Sequence, residues 1–347
     1  MTKKVNNQRI ALIGAYGYTG RIILDCLQEA GIQFTAIGRD SEKLHALDHS
    51  PSLQLDLQSK EDRESLLNDF DTFLNCAGPF GIESKEFIQE LALKEGKTYL
   101  DITGELDLVR SIKDSCKDSN SLIIQGVAFE SLLVDLIYRK YANDLESIHS
   151  LESFYRFSES RPSPGTKITM KLSNLKSTYF LQNGSFELVN DSREEVNLRG
   201  AVNLAVPYPL PEVAYCSWDA GVETAGSYML LSKAAAMFVG AKGNKEDQIS
   251  RTYDKLKNRK VDGPDLIERS EQSTRLYIRF NNDNTRVVLL EAEDMYLITA
   301  KAIVNSLEVI LNGVDLKGVH SPASLFKGKE LETLEALGVS YSITNFE

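Results

Sequence analysis

The chain has 347 residues, 42% of them hydrophobic and 26% charged, a balance that suits a globular protein with room for two domains. At this length roughly three quarters of the unfolded surface can be buried, so no disulfide or metal staple is required. The 39 basic residues face 50 acidic ones, for a net charge of −11. That excludes a general nucleic-acid binder and leaves only the option of a small local basic pocket. Four cysteines (Cys26, Cys76, Cys116, Cys216) and four histidines (His45, His49, His149, His320) are scattered without ligand spacing. They argue for a reducing, cytoplasmic setting and against a disulfide framework or a metal site. Met1 to Arg9 lacks the apolar region of a signal peptide. The most apolar run, Tyr228 to Ala241, is too short for a membrane span and is interrupted by Lys233.

Ile10-Ala11-Leu12-Ile13-Gly14 is a continuous apolar run, as expected of a strand buried on both faces. A helical stretch, Arg21 to Glu29, follows and ends at Gly31. The alternation then repeats. A strand at Phe34 to Gly38 leads into a helix after Asp40, with Ser41 as its expected cap. Strands at Leu53 to Leu57, Thr72 to Cys76, Thr98 to Ile102 and Ser121 to Gln125 are separated by helices at Lys60 to Phe70, after a turn at Gly78-Pro79 through about Lys94, and at about Asp107 to Cys116. Ser131 to Tyr141 closes the series as a helix. Six strands alternating with helices predict right-handed βαβ units and a doubly wound parallel sheet, an α/β fold.

Beyond about residue 145 the pattern changes to alternating strands. Candidates are Ser153 to Phe157, Lys167 to Leu172, Tyr179 to Glu187, Arg275 to Phe280 and Thr285 to Leu290. Helices are expected at Tyr228 to Val239 and Lys245 to Lys257, with an extended loop through Pro207 to Pro211. This is an α+β region with a mainly antiparallel sheet, a usual surface for a homodimer. Asp294 to Asn312 predicts an amphipathic helix.

Gly14-Ala15-Tyr16-Gly17-Tyr18-Thr19-Gly20 lies between the first strand and the first helix. Dinucleotide-binding folds need glycines at this junction for a tight turn, close approach of a pyrophosphate and packing of the helix. Its N–H groups and dipole then favour the phosphate charge. The second strand ends Ile37-Gly38-Arg39-Asp40, with Lys43 one turn on. Arg39 there suits the 2′-phosphate of NADP, with Lys43 as a second cation. Asp40 at the same place would instead favour the ribose hydroxyls of NAD.

The segment Gly14 to Arg21, followed by Gly38-Arg39, resembles the start of the saccharopine dehydrogenase-like oxidoreductases, nearest to the subgroup that contains the trans-acting enoyl reductases. Asn75-Cys76-Ala77-Gly78-Pro79-Phe80, Tyr99 to Glu105, and Gly126 to Asp135 agree in order and spacing. Gly165-Thr166, Gly263-Pro264 and Tyr296 to Ala300 agree more thinly. Tyr16 departs from the family, which favours a small residue or threonine there, and Gln125 to Phe129 matches only loosely. The resemblance implies an NADP-binding Rossmann domain over 1–145, an inserted α+β substrate and dimerisation domain over 146–293, and a C-terminal helical segment, 294–347, returning to the Rossmann domain.

Ligands of doubly wound folds sit beyond the carboxyl ends of the strands. The cofactor-binding candidates are therefore Gly14, Tyr16, Gly17, Tyr18, Thr19, Gly20, Arg39, Lys43, Asn75, Cys76, Ala77 and Gly78. Gly78 and Pro79 serve equally well as a tight turn. Cys76 has no neighbouring histidine to activate it and fits a small buried thiol. Asp101 and Glu105 are the candidates for proton transfer or substrate orientation, against helix capping or loop bonding for each. Tyr296 and Thr299 fit packing positions. The expected function is an NADP-dependent oxidoreductase acting on a C=C, C=N or C=O bond of a small organic substrate. The alternative is a redox-inactive NADP sensor, since no Tyr–Lys catalytic pair stands out.

Overall fold

Ile10–Ile13 forms β1, and all four of its residues are buried, because a strand covered by helices on both faces must be apolar throughout. In chain order there follow α1 (Tyr18–Glu29), β2 (Thr35–Gly38), α2 (Ser41–His45), β3 (Ser52–Gln54), α3 (Lys60–Asp69), β4 (Thr72–Asn75), α4 (Ile82–Ala92), β5 (Thr98–Asp101), α5 (Leu106–Cys116), β6 (Leu122–Ile124) and α6 (Phe129–Asp144). This computed structural model describes residues 9–47, 51–144, 148–157, 162–163, 165–167, 169, 178–189, 194–218, 222–231, 263–281 and 285–346. They divide into two units. The first comprises the described parts of Met1–Thr103, Asp107–Leu132 and Tyr296–Leu325, and the second those of Gly104–Leu106, Leu133–Met295 and Phe326–Glu347.

The second unit and the chain end contribute β7 (Ser150–Phe157), β8 (Thr178–Gln182), β9 (Ser185–Val189), β10 (Glu194–Leu198), β11 (Ala201–Pro207), α7 (Glu212–Trp218), β12 (Thr224–Leu231), α8 (Leu266–Ser270), β13 (Thr274–Asn281), β14 (Thr285–Ala292), α9 (Met295–Leu311), β15 (Gly318–His320), α10 (Glu330–Ala336) and β16 (Ser340–Phe346). The first sheet runs β15-β6-β5-β4-β1-β2-β3, and all its pairs are parallel. Strand order reverses between β1 and β4, which is where such sheets open a crevice for ligands. In register, Ile13 sits beside Ile37 and Asn75, and Asn75 beside Asp101. The ends of β2, β1, β4 and β5 therefore form one row.

Two close approaches fix that row. Gly14 has φ +81°, and a Cβ built on it would lie 2.8 Å from the Ala77 nitrogen and 2.9 Å from its Cα. A Cβ on Gly20 would collide with the Gly14 carbonyl oxygen. Farther along, the Thr299 hydroxyl of α9 accepts the Phe129 N–H at 3.0 Å and satisfies the first turn of α6. Tyr296, also on α9, packs edge-on against Tyr18 at 4.9 Å between ring centroids.

The second sheet has the path β10-β11-β12-β7-β13-β14-β16, with β8 joined to β12 and β9 to β8. β7 and β12 are parallel and the other pairs antiparallel. Its outermost strands would stand ~29 Å apart if the sheet were flat, at about 4.8 Å per strand. Yet Arg199, in the turn after β10, donates to the Ser342 hydroxyl of β16 at 2.8 Å. The sheet is therefore curled. Inside the curl Phe154, Val196, Leu198, Leu230, Val287 and Leu289 make one apolar cluster. On the opposite face of β7, Ser153 and Tyr155 donate to buried Glu212 at 2.8 and 2.6 Å and fasten α7.

Several expected elements differ. Asp40, not Ser41, caps α2, because its carboxylate accepts the Lys43 N–H. Tyr179 to Glu187 is a hairpin, turning at Asn183 (φ 49°) and Gly184 (φ 76°), the Asn-Gly signal of a tight primed turn. Tyr228 to Leu231 belongs to strand β12; a short apolar run does not distinguish strand from helix by period. The rest of that expected helix, and the one at Lys245 to Lys257, lie outside the described residues. Lys167 and Thr169 are helical rather than extended, and 168 and 170–172 are not described. β15 and β16, unforeseen in the sequence, complete the edges of the two sheets.

Gly14→Ala should cost about 3 kcal/mol of stability, from left-handed backbone strain plus overpacking against Ala77. Gly31→Ala, also at positive φ but with open space around it, should cost only about 1–2 kcal/mol. Chemical denaturation of both variants checks the difference. Equal losses would remove the close approach of Gly14 and Ala77.

Candidate functional site

The turn after β1 is held by backbone. Gly14 N–H donates to the Ile37 carbonyl at 2.9 Å, and Gly17 N–H donates to the Gly14 carbonyl at 2.9 Å. Gly17 is the N-cap of α1, contributes no capping side chain, and is followed by no acidic residue in the first turn. A helix start of this kind leaves backbone donors and a positive dipole end for an anion. A Cβ on Gly17 would meet only the Gly14 carbonyl oxygen, at 3.1 Å. Gly14 and Gly20 are set by close packing, whereas a Cβ on Gly17 would have that one tight neighbour.

Beside the turn, the Tyr16 ring lies against Gly38, so closely that a Cβ on Gly38 would overlap it. Lys43 Nζ stands 5.7 Å from the Tyr16 ring centroid and 2.8 Å from Asp40 Oδ2, a cation–π contact combined with an ion pair. Asp40 Oδ1 also accepts the Lys43 N–H at 3.1 Å. These bonds to Lys43 hold the Asp40 carboxyl below its usual range. Asp40 is thereby engaged as a helix cap. Arg39 is exposed, its carbonyl accepts from Gln54 at 3.1 Å, and its guanidinium makes no hydrogen bond or ion pair among the described residues. Of the two cations named from sequence, Arg39 is available and Lys43 is already paired.

At the end of β4, Asn75 is fully buried. Its Oδ1 accepts the Ala77 N–H at 3.0 Å, and its Nδ2 donates to the Tyr99 hydroxyl at 3.0 Å. Asn75 therefore shapes the loop through its side chain. Cys76 is half-buried, and burial together with nearby Asp101 pushes its thiol well above the ordinary range. It remains a neutral thiol. Gly78 is exposed and is joined to Pro79 by a cis peptide.

Asp101 has no exposed surface. Its Oδ1 accepts the Gly126 N–H at 2.8 Å and the Thr103 N–H at 3.1 Å; its Oδ2 accepts the Tyr99 hydroxyl at 3.0 Å. Burial pushes the carboxyl up to about 7 against the pull of these donors. Glu105 is half-buried, and its Oε2 accepts the adjacent Gly104 N–H at 3.0 Å. The first unit thus brings the glycine turn, Arg39, Asn75–Gly78 and Asp101 to one end of one sheet. Glu105 belongs to the second unit. Tyr99 and the Gly126 amide were not singled out in the sequence. A tyrosine two residues before an aspartate on one strand shares its face, and that spacing was the available signal.

The raised Asp101 carboxyl has a consequence for stability. The folded protein keeps this proton up to about pH 7, whereas an unfolded aspartate releases it near pH 4. Its contribution to stability is therefore present below about pH 4 and is lost as pH rises to about 7. Asp101→Asn should lose less stability than the parent between pH 5 and pH 8, measured by denaturant titration. A parallel decline in both proteins would contradict the buried ionisation.

Residues 10–124 match the family model described as the saccharopine dehydrogenase NADP binding domain. No curated protein matches the chain. Among solved structures, apo histidine-tagged saccharopine dehydrogenase (L-Glu forming) from Saccharomyces cerevisiae aligns over 98% of this chain and 100% of its own, at 10% identity and a TM-score of 0.62. A myo-inositol dehydrogenase from Corynebacterium glutamicum ATCC 13032 aligns over 95% and 93%, at 12% identity and a TM-score of 0.44. The yeast enzyme and this chain share a fold. The glycine turn and the strand ends described above fall within the segment that matches this NADP-binding domain model.

Proposed function

We propose that the chain is an NADP-dependent oxidoreductase that transfers a hydride to or from a C=C, C=N or C=O bond of a small organic substrate. The observation that carries this reading is the pairing of an open helix N-terminus at Gly17 with an available Arg39 at the end of the neighbouring strand. One suits a pyrophosphate and the other a 2′-phosphate. Asp40 is occupied by Lys43, which weighs against its serving the ribose hydroxyls of NAD. Bound NADP would supply the hydride chemistry. The protein would hold it through the amides of Tyr18 to Gly20, through Arg39, and through the loop Asn75–Gly78. The finer likeness to trans-acting enoyl reductases rests on the segments Asn75 to Phe80, Tyr99 to Glu105 and Gly126 to Asp135. It makes a C=C bond the first substrate type to try. The scattered thiols support a cytoplasmic setting, and among the described residues no helix is long and apolar enough to cross a membrane.

The test is binding and turnover of NADPH and NADH against enoyl, imine and keto substrates. Arg39→Ala should weaken NADPH about 10- to 150-fold, the equivalent of one hydrogen bond to a charged group at about 1.5–3 kcal/mol, and leave NADH nearly unchanged. Gly17→Val should abolish binding of both while the melting transition persists. NADPH binding without turnover over the whole panel would replace the enzyme reading by that of a sensor. Equal affinity of Arg39→Ala and parent for NADPH would remove the 2′-phosphate site.

A further inference from the structure

A line of hydrogen bonds runs across the ends of three strands. Ala77 N–H donates to Asn75 Oδ1, Asn75 Nδ2 to the Tyr99 hydroxyl, and the Tyr99 hydroxyl to Asp101 Oδ2, each at 3.0 Å. Asp101 Oδ1 continues it to the Gly126 and Thr103 amides. Ala77, at the far end, is the residue whose backbone leaves no room for a Cβ on Gly14. The line starts at the turn after β6 and ends against the turn after β1.

Its direction is fixed. Tyr99 has one proton, and Asp101 takes it. The tyrosine oxygen is then free to accept from Asn75 Nδ2, which in turn presents Asn75 Oδ1 to Ala77. We propose that Asp101 is a positioning residue for the cofactor cradle: its ionised carboxylate orients Tyr99, and through Tyr99 and Asn75 it sets the Ala77 backbone that backs the glycine turn. This rests on the reading of that turn as the phosphate cradle. It also gives Asp101 a part in the reaction without contact to substrate. Protonation at Oδ2 would aim a second proton at the Tyr99 oxygen. Protonation at Oδ1 would oppose the Gly126 and Thr103 donors. Either change breaks the order of the line.

The groups facing Asp101 make it the titrating member. Tyr99, on its own strand, is pushed upward by burial and by Asp101. Cys76, at the end of β4, is pushed upward by the same two causes. From the turn after β6 come the Gln125 side chain and the Gly126 amide, both uncharged. With the carboxyl raised to about 7, the line should form and dissolve around neutral pH, and NADPH should bind more tightly on the alkaline side.

The test is an amide NMR titration of the full chain, selectively labelled at glycine, alanine and threonine, from pH 5.5 to 8.5. In the parent, Gly126, Thr103 and Ala77 should share one midpoint. In Tyr99→Phe, which keeps the ring packed against Phe87, Gly126 and Thr103 should still titrate and Ala77 should not. In Asp101→Asn all three should be flat. NADPH affinity, read on the same samples, should change at least severalfold across the midpoint in the parent and stay constant in both variants. An Ala77 resonance that titrates unchanged in Tyr99→Phe overturns the proposal, as does one that is flat in the parent. The amide shifts decide this without cofactor, so a parent that binds no NADPH at any pH would fail the cofactor reading separately.

Discussion

The first unit depends on a backbone contact with no space to spare. The turn after β1 and the loop after β4 meet where Gly14 faces Ala77, closer than any side chain allows. That contact falls at the point where strand order reverses, so it holds the two halves of the parallel sheet in fixed relation at their carboxyl ends. The start of α1, the end of β2 and the loop after β4 then surround the same crevice. A phosphate site made from backbone amides is only as well defined as the backbone, and here packing defines it.

The polar groups behind this contact trade stability for order. A buried carboxylate is costly, and the rise of the Asp101 carboxyl to about 7 records that cost. An apolar residue at the end of β5 would suit the core better. It would also leave the Gly126 and Thr103 amides and the Tyr99 hydroxyl without an acceptor. The turns after β5 and β6 and the Tyr99 side chain are thus held by a single carboxyl group. Asn75 shows the same logic: buried completely, it uses one side-chain oxygen and one N–H to fix a loop.

Much of the first unit was legible in the sequence because its signals are local. Buried strands appear as apolar runs, and the glycines at 14, 17 and 20 mark the turn before any fold is known. The cap of α2 was misplaced by one residue, since Asp40 and Ser41 are both good caps and only geometry chooses between them. The second unit was harder. Its strands are short, and Tyr228 to Leu231 has the composition of helix or strand alike. β15 and β16 owe their existence to partners far away in sequence, β6 and β14, which no local pattern announces. Within the site, residue types were visible but their roles were not. Asp101 reads in sequence either as a proton-transfer group or as a loop-bonding one, and the donors it accepts from are visible only in the fold.

Cofactor choice depends on whether the end of β2 recognises a phosphate on the adenosine ribose. Calorimetric titration of the parent protein with adenosine 2′,5′-bisphosphate and with adenosine 5′-monophosphate isolates that contact from the nicotinamide and from turnover. With Arg39 exposed and Asp40 engaged by Lys43, the bisphosphate should bind at least 10-fold more tightly, and the margin should shrink as salt is raised. Equal affinities, or a preference for the monophosphate, would contradict it.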